Sequence, residues 1–402
     1  MSIFHDYQAE LTSPGAALLR WKESITSRFT SILPKSDMPP SNDTSAPTGS
    51  RDTSPERIRD LAHALTRSFG SALNEIDNIN LQTRLLSFNA QIEAARAGAF
   101  GTSFGVVASE MQTLSKSTEA IARRLEGEAK STAVELEDIS SVMANNVRGT
   151  RLSDMAAVNI DLIDRNLYER TCDVRWWATD SAVVEALVDP TPARLAHASK
   201  RLGIILDAYT VYYDIVLCSL DGTILANGRP ELHRVTGTNT AACAWHQSAV
   251  QANSGNEFGF ESVTANPLVG GKLTATFSCG VRTDGESDGQ LLGVLGVIFN
   301  WEGFAQVIME RTPIQPELDK ITRRCVIDAE GRVLADSFGK MLREPLNLSS
   351  LEKQFAGTKS FAKTRLENQD CFVGHARSVG YETYASGWRS VIIEPIAAGE
   401  RA

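Results

Sequence analysis

No run in this 402-residue chain is long enough to cross a bilayer: the most apolar stretch, LLGVLGVIF from Leu291 to Phe299, is about half of the roughly 20 residues that a helical span needs. The N-terminus MSIFHDYQ has neither the basic nor the apolar region of an export signal. The expected compartment is therefore the cytoplasm. Lysine and arginine form no block and the formal net charge is -9, so no nucleic-acid partner is expected. Six cysteines lie far apart with no CxxC pair, which predicts reduced and mostly buried thiols. His233, Cys243 and His246 match no zinc spacing. A P-loop, a dinucleotide-binding glycine motif, a GxSxG elbow and a His-Glu kinase helix are all missing. We expect no enzyme, no metal and no cofactor.

What is present suffices for two or three ordinary domains, since 42% of the residues are hydrophobic. Residues 1–33 contain an amphipathic helical pattern (GAALLRWKESITSRFTSIL), and residues 34–54, rich in Pro, Ser, Thr and Asp, read as a disordered linker. Ser54, Pro55 and Glu56 then signal a helix start: a capping hydroxyl, a preset first turn and an acid suited to the helix dipole. Apolar residues recur with period seven at Ile58, Leu65, Ala72, Ile79 and Leu86 and resume at Val107, Leu114 and Ile121, which predicts two arms of one antiparallel coiled coil over residues 55–150. Each arm would run for about 60 Å. The reversal falls between 89 and 105, where Asn89, Glu93 and Arg96 precede Gly98, the residue free to take any backbone conformation. Near Asn145 to Gly149 the pattern weakens, and a further helix, NIDLIDRNLYERTCDVRWWATDSAVVEAL, fills a connecting segment over 151–190.

An internal repeat follows. VLCSLDGTILANG (Val216 to Gly228) returns as CVIDAEGRVLADS (Cys325 to Ser337), each a strand, an acidic-Gly turn and a second strand. With LTATFSCGVR, LLGVLGVIFN and WRSVIIEP as further strands and GESDG as a turn, the pattern predicts two antiparallel α+β modules, residues 191–305 and 306–402. The fold class is multidomain: a long antiparallel α-helical coiled-coil hairpin, then two α+β modules.

The run QTRLLSFNAQIEAARAGAFGTSFGVVASEMQTLS, Gln82 to Ser115, resembles the hairpin tip of methyl-accepting chemotaxis receptors. The resemblance implies a four-helix homodimer, trimers of dimers joined through the tip, and docking of a histidine autokinase with its adaptor in a receptor array. It assigns Asn89, Glu93 and Arg96 to the trimer contact, and Val106 and Val107 to the arm facing the kinase complex. Departures from the family pattern are Arg84, Phe88, Gln91, Ala99, Thr102 and Ser103; the charges missing at Ala99 and Thr102 remove hydrogen bonds that could position a partner. Of the family's reversible glutamate methylation, one candidate stands, Glu135 beside Ser131 and Thr132. Leu136 occupies the place of its paired acid or amide.

The C-terminal part is similar to double Cache sensors, the PAS-like type, through YYDIVLCSLDGTILA, AWHQSAVQANSGNEFGFESV, LLGVLGVIF and GYETYASGWRSVII. Amino-acid-binding members of that family carry an Arg two residues before a Trp, a Tyr after it, and an Asp on the Gly-rich strand. Here Trp245 is flanked by Cys243 and His246, and Ile298 takes the strand position. An α-amino acid would leave its charges poorly paired. The candidate pocket is in the first module: Tyr212, Trp245, His246 and Phe260, with Arg282 to meet an anionic small molecule; ordinary core is the alternative for each aromatic. The resulting reading is a chemoreceptor with its output hairpin first, signalling through the helix around Trp176 and Trp177. Its rivals are an array scaffold or decoy without kinase control, and a Cache protein that the hairpin merely dimerises.

Overall fold

The structure is a computed structural model that describes residues 55–355 and 357–396. The expected helix of residues 1–33 and the linker of 34–54 lie outside the described residues. Helix α1 (Pro55–Arg96) rises to the reversal, a 3-10 turn occupies Gly98–Gly101, and α2 (Thr102–Trp177) returns. Gly98 has φ +57, and a side chain at Gly101 would run into the Ala94 carbonyl. The reversal thus depends on two glycines, one for its backbone angle and one for close approach.

The hairpin forms as expected, but not along the expected stripe. Ala62, Leu73, Asn80 and Ser87 of α1 are buried, with Ala108, Ser115 and Ala122 of α2. These residues are small enough for Ser87 Oγ to donate to the Ala108 carbonyl at 2.6 Å and Ser115 Oγ to that of Asn80 at 3.2 Å. The period-seven series faces outward instead: Ile79 is 61% exposed, Leu86 63%, Val107 57% and Leu114 66%. A pair of helices can close only one of its faces. This hairpin closes the face with small residues and leaves the large apolar one open.

Nor does the second arm end near residue 150. α2 continues for 76 residues, roughly 115 Å, and Gly149 marks a docking point, since a side chain there would enter the Phe361 ring. Beyond it one face of α2, carrying Leu152, Ala156, Ile160, Ile163, Leu167 and Val174, is buried at helical spacing. Asp180 caps α3 (Ser181–Val188) by accepting from Ala182 N at 2.9 Å, and α4 is Pro192–Ala208.

The first module contains β1 (Tyr212–Ser219), β2 (Ile224–Asn227), α5 (Ala244–Gln251), β3 (Gly259–Asn266), β4 (Lys272–Arg282) and β5 (Leu291–Asn300). Helices α6 (Trp301–Arg311) and α7 (Pro316–Asp319) lead into β6 (Arg323–Ile327), β7 (Val333–Asp336), β8 (Lys359–Leu366), β9 (Gln369–Arg377) and β10 (Arg389–Pro395). The sheets run β2-β1-β5-β4-β3 and β7-β6-β10-β9-β8, antiparallel throughout. The repeat read in the sequence is thus a repeat of topology, with Gly222 (φ +88) and Gly331 (φ +81) at equivalent turns. Aromatic rings join the modules: Phe258, Phe260 and Phe277 meet Tyr384, and Trp301 lies edge-on to Trp388 at 5.1 Å.

Candidate functional site

At the tip, Asn89, Glu93 and Arg96 are all solvent-exposed. Arg96 pairs with Glu93 at 3.0 Å, a contact three residues apart on one helix face that contributes at most a few tenths of a kcal/mol. Their polar groups are therefore free to engage another surface. Val106 is 63% exposed, and beside it lie Phe100 at 93% and Phe104 at 70%. Both phenylalanines went unnoticed in the sequence. The available signal was two large apolar residues within a reversal that two helices are too slender to cover. Glu135 is exposed on the outer surface of α2.

In the first module the five candidate residues do not converge on one cavity. Tyr212 and Phe260 belong to the core between the sheet and α2, whereas Trp245 belongs to the core on the opposite face. The Trp245 indole lies over Gly296, where a Cβ would stand 2.7 Å from the ring, and Trp245 is only 2% exposed. It fills the space over the sheet. His246 is buried with a ring nitrogen 3.3 Å from the Ser219 carbonyl. His233 Nδ1 sits 3.1 Å from Asp214, and among the described residues no cluster of His, Cys, Asp or Glu is arranged to hold a metal ion. Four of the six cysteines are buried and all are unbridged. Arg282 lies at the sheet's end, its Nη1 donating to the Gly289 carbonyl (2.9 Å) and Nη2 to that of Ala252 (2.8 Å).

Tyr212 instead connects the sheet to the long helix. Its hydroxyl donates to Asp173, Arg170 pairs with Asp173 at 3.1 Å, and the Arg170 guanidinium stacks 5.2 Å from the Tyr212 ring. Burial pushes the Tyr212 phenol well above its usual pKa, with the Arg170 charge opposing, so it is a hydrogen-bond donor at physiological pH. Lower on the same helix, Asp164, 1% exposed, accepts from Ser378 Oγ (2.6 Å), Gly380 N (3.2 Å), Ser386 N (3.2 Å) and Ser386 Oγ (2.6 Å). α2 is tied to both modules through buried carboxylates. Acids at core-facing positions beside Ile160, Ile163 and Val174 were the sequence signal for these ties, and the reading of the chain passed over them. No helix among the described residues is long and apolar enough to cross a membrane.

Residues 55–162 match the model of the methyl-accepting chemotaxis protein (MCP) signalling domain. The protein PilJ of Pseudomonas aeruginosa is 32% identical over 122 residues, 29% of this chain and 17% of its own length. Methyl-accepting chemotaxis protein IV of Escherichia coli is 31% identical over 93 residues, 23% of this chain and 17% of its own. McpP of Pseudomonas putida reaches 49% over 67 residues, 17% of this chain and 12% of its own. The chain thus spans less than a fifth of the length of these relatives. Among solved structures, the sensor domain of the Vibrio cholerae histidine kinase DctB gives a TM-score of 0.46 at 14% identity, covering 61% of this chain and 95% of that one. The sensory domain of the Campylobacter jejuni chemoreceptor Tlp3 gives 0.45 at 15%, covering 62% and 94%.

Proposed function

We propose that this chain, in which residues 55–162 are a methyl-accepting chemotaxis signalling domain, is a chemoreceptor with its output hairpin ahead of its sensor. A small molecule held by the C-terminal modules biases the packing of α2, and the change reaches the tip, where a chemotaxis histidine autokinase and its adaptor dock. The observation that carries this reading is the continuity of α2: a single helix, Thr102–Trp177, forms both the second arm of the signalling hairpin and the spine on which the sensor packs. A ligand shifts such a helix only by its differential affinity for two packings, so these lie within a few kcal/mol of each other.

The outward apolar stripe supports a homodimer, because a second hairpin would bury Ile79, Leu86, Val107 and Leu114 in a four-helix bundle. The exposed Asn89, Glu93 and Arg96 suit trimers of dimers, and the exposed Val106 and Val107 suit the kinase complex. The proposed place is the cytoplasm beside a receptor array, and Glu135 is open to methylation.

The test is a reconstituted autophosphorylation assay of kinase and adaptor with this chain and a panel of metabolites. Kinase activity that depends on the chain and changes with a metabolite supports the receptor. Binding without any ligand-dependent change gives the array scaffold, which the uncharged Ala99 and Thr102 would suit. Absence of binding overturns both.

A further inference from the structure

A cleft of about 130 Å³ opens where the C-terminal end of α2 meets the β4–β5 hairpin of the first module, lined among others by Arg175, Thr179, Gly255, Arg282 and Ser287. Two guanidiniums face this small space. Arg282 is 9% exposed and spends Nη1 and Nη2 on carbonyls, while its Nε is buried without a partner. Arg175, in the last turn of α2, donates to the carbonyls of Thr171 (2.8 Å) and Asn256 (3.3 Å) and reaches Cys172 Sγ at 3.5 Å. Each arginine carries five N–H donors, so both keep donors in reserve. Among the described residues neither has a carboxylate as partner. A largely buried cation without a counter-ion is costly; Arg282 is such a cation, and the half-buried Arg175 adds a second positive charge at the same cleft. Glu286, the one acid among the lining residues, is exposed to solvent, where its field is screened.

We propose that this cleft binds a compact oxyanion, held between Arg175 of the signalling helix and Arg282 of the sheet. The volume corresponds to about four water molecules, which admits a short-chain carboxylate or a tetrahedral anion such as phosphate and excludes a nucleotide or a large amino acid. Three glycines, Gly255, Gly280 and Gly285, line the space and leave it clear of side chains. The Cys279 thiol on its wall is no competitor for the arginines, since burial pushes its pKa up to about 11, although Arg175 and Arg282 act in the opposite direction. The site lies at the edge of the module, away from the space that Trp245 fills. Because one arginine belongs to α2 and the other to β4, a bound anion ties the helix end to the sheet. This assignment of ligand class rests on the receptor reading above.

The test is thermal melting of the full chain in sodium phosphate, sulfate, acetate or pyruvate, each compared with sodium chloride at equal ionic strength. At least one of these oxyanions at millimolar concentration should raise the midpoint by several degrees. The rise should vanish in Arg175→Gln, a half-buried position whose loss leaves the module core intact, and persist in Lys272→Gln, which removes the same charge elsewhere. Phosphate and sulfate acting alone would mark a tetrahedral site, acetate and pyruvate acting alone a carboxylate site. If no oxyanion exceeds chloride, or if Arg175→Gln keeps the rise, the proposal falls. Kinase assays separate the two readings: an oxyanion that binds through Arg175 without altering the kinase leaves the site standing and defeats the receptor. Absence of the melting rise together with a metabolite that still controls the kinase in Arg175→Gln keeps the receptor and defeats this site.

Discussion

Replacing Asp164 by Asn should loosen the second module from its helix while leaving the hairpin untouched. The carboxylate is 1% exposed and satisfied by four donors, all from the segment between β9 and β10. An amide retains one oxygen, which can still accept from Ser386 N and Oγ, but presents an NH2 to Ser378 and Gly380. The serine hydroxyl can turn and accept. The Gly380 amide cannot, and it loses its partner at a half-buried position. One orphaned donor costs about 1–3 kcal/mol, and hydrogen bonds to the lost charge were worth more than those to an amide, so we expect a destabilisation of about 2–4 kcal/mol. Urea unfolding of the full chain measures the total. Amide hydrogen exchange locates it: protection should fall over residues 378–388 and remain unchanged over 57–140. An unchanged urea midpoint, or a lowered one without faster exchange at 378–388, would refute the assignment of Asp164 as the tie.

Leu114→Glu, at a residue 66% exposed in the hairpin, should raise the homodimer dissociation constant on the order of a hundredfold or more, since each of two symmetry-related leucines contributes about 1.5–3 kcal/mol when buried; sedimentation that shows unaltered association would sink the bundle. Glu93→Ala with Arg96→Ala should abolish trimer-of-dimer crosslinks in cells while keeping dimers, and an unchanged ladder means that the tip does not act in this way. His375 predicts a pH dependence. Burial, with Arg389 and Arg377, lowers its pKa to about 4 from an ordinary 6.5, so between those values the unfolded chain holds a proton that the folded chain refuses, and stability falls on acidification through that window. Urea midpoints measured from pH 7 to 4.5 should drop less in His375→Gln than in wild type, and parallel curves would exclude this histidine as a source.

Much of the two modules was legible because strand-turn-strand chemistry is local. Asp221-Gly222 and Glu330-Gly331 announce their turns through the glycine's freedom at positive φ, and the apolar runs between turns fall on β1, β5, β6 and β10. The hairpin was legible as a hairpin, and its seam was not. Periodicity marks every face that will be buried, whether by the same chain or by another copy, and the larger residues at Leu86 and Leu114 hid the quieter series Leu73, Asn80, Ser87 that does the closing within one chain. The candidate ligand residues suffered from the alternation of strands. Tyr212 and Trp245 are equally aromatic in sequence, but a bulge between Tyr212 and Asp214 sets the face of the sheet that Tyr212 joins, Trp245 reaches the opposite face from α5, and no local signal fixes either.

The placement of glycines decides how a signal can travel along α2. Gly149 admits the Phe361 ring, and Gly374 of β9 lies so close to Leu152 that a Cβ there would stand 2.6 Å from the Leu152 carbonyl carbon. These two contacts interlock the helix with the second module, and together with the Asp164 tie they oppose any sliding of α2 along its axis past that sheet. Near the first module the helix is still packed, with Val174 and Trp177 buried and Trp177 edge-on to Tyr212 at 5.4 Å, and side-chain polar contacts are added. Asp173, Tyr212 and Arg170 form a polar contact, and Arg175 donates to the Asn256 carbonyl. Interlocked packing has few alternative arrangements, because each step requires backbone to pass backbone, whereas hydrogen-bonded side chains exchange partners at a cost of about 1 kcal/mol each. Contacts that can exchange partners are therefore added to the packing at the first-module end of the helix, the end where Arg175 and Arg282 face one cleft. Substituting Gly374 by Ala would test the distinction: it should destabilise the second module without changing the oxyanion response at Arg175, and loss of that response would show that the two ends of the helix are not independent.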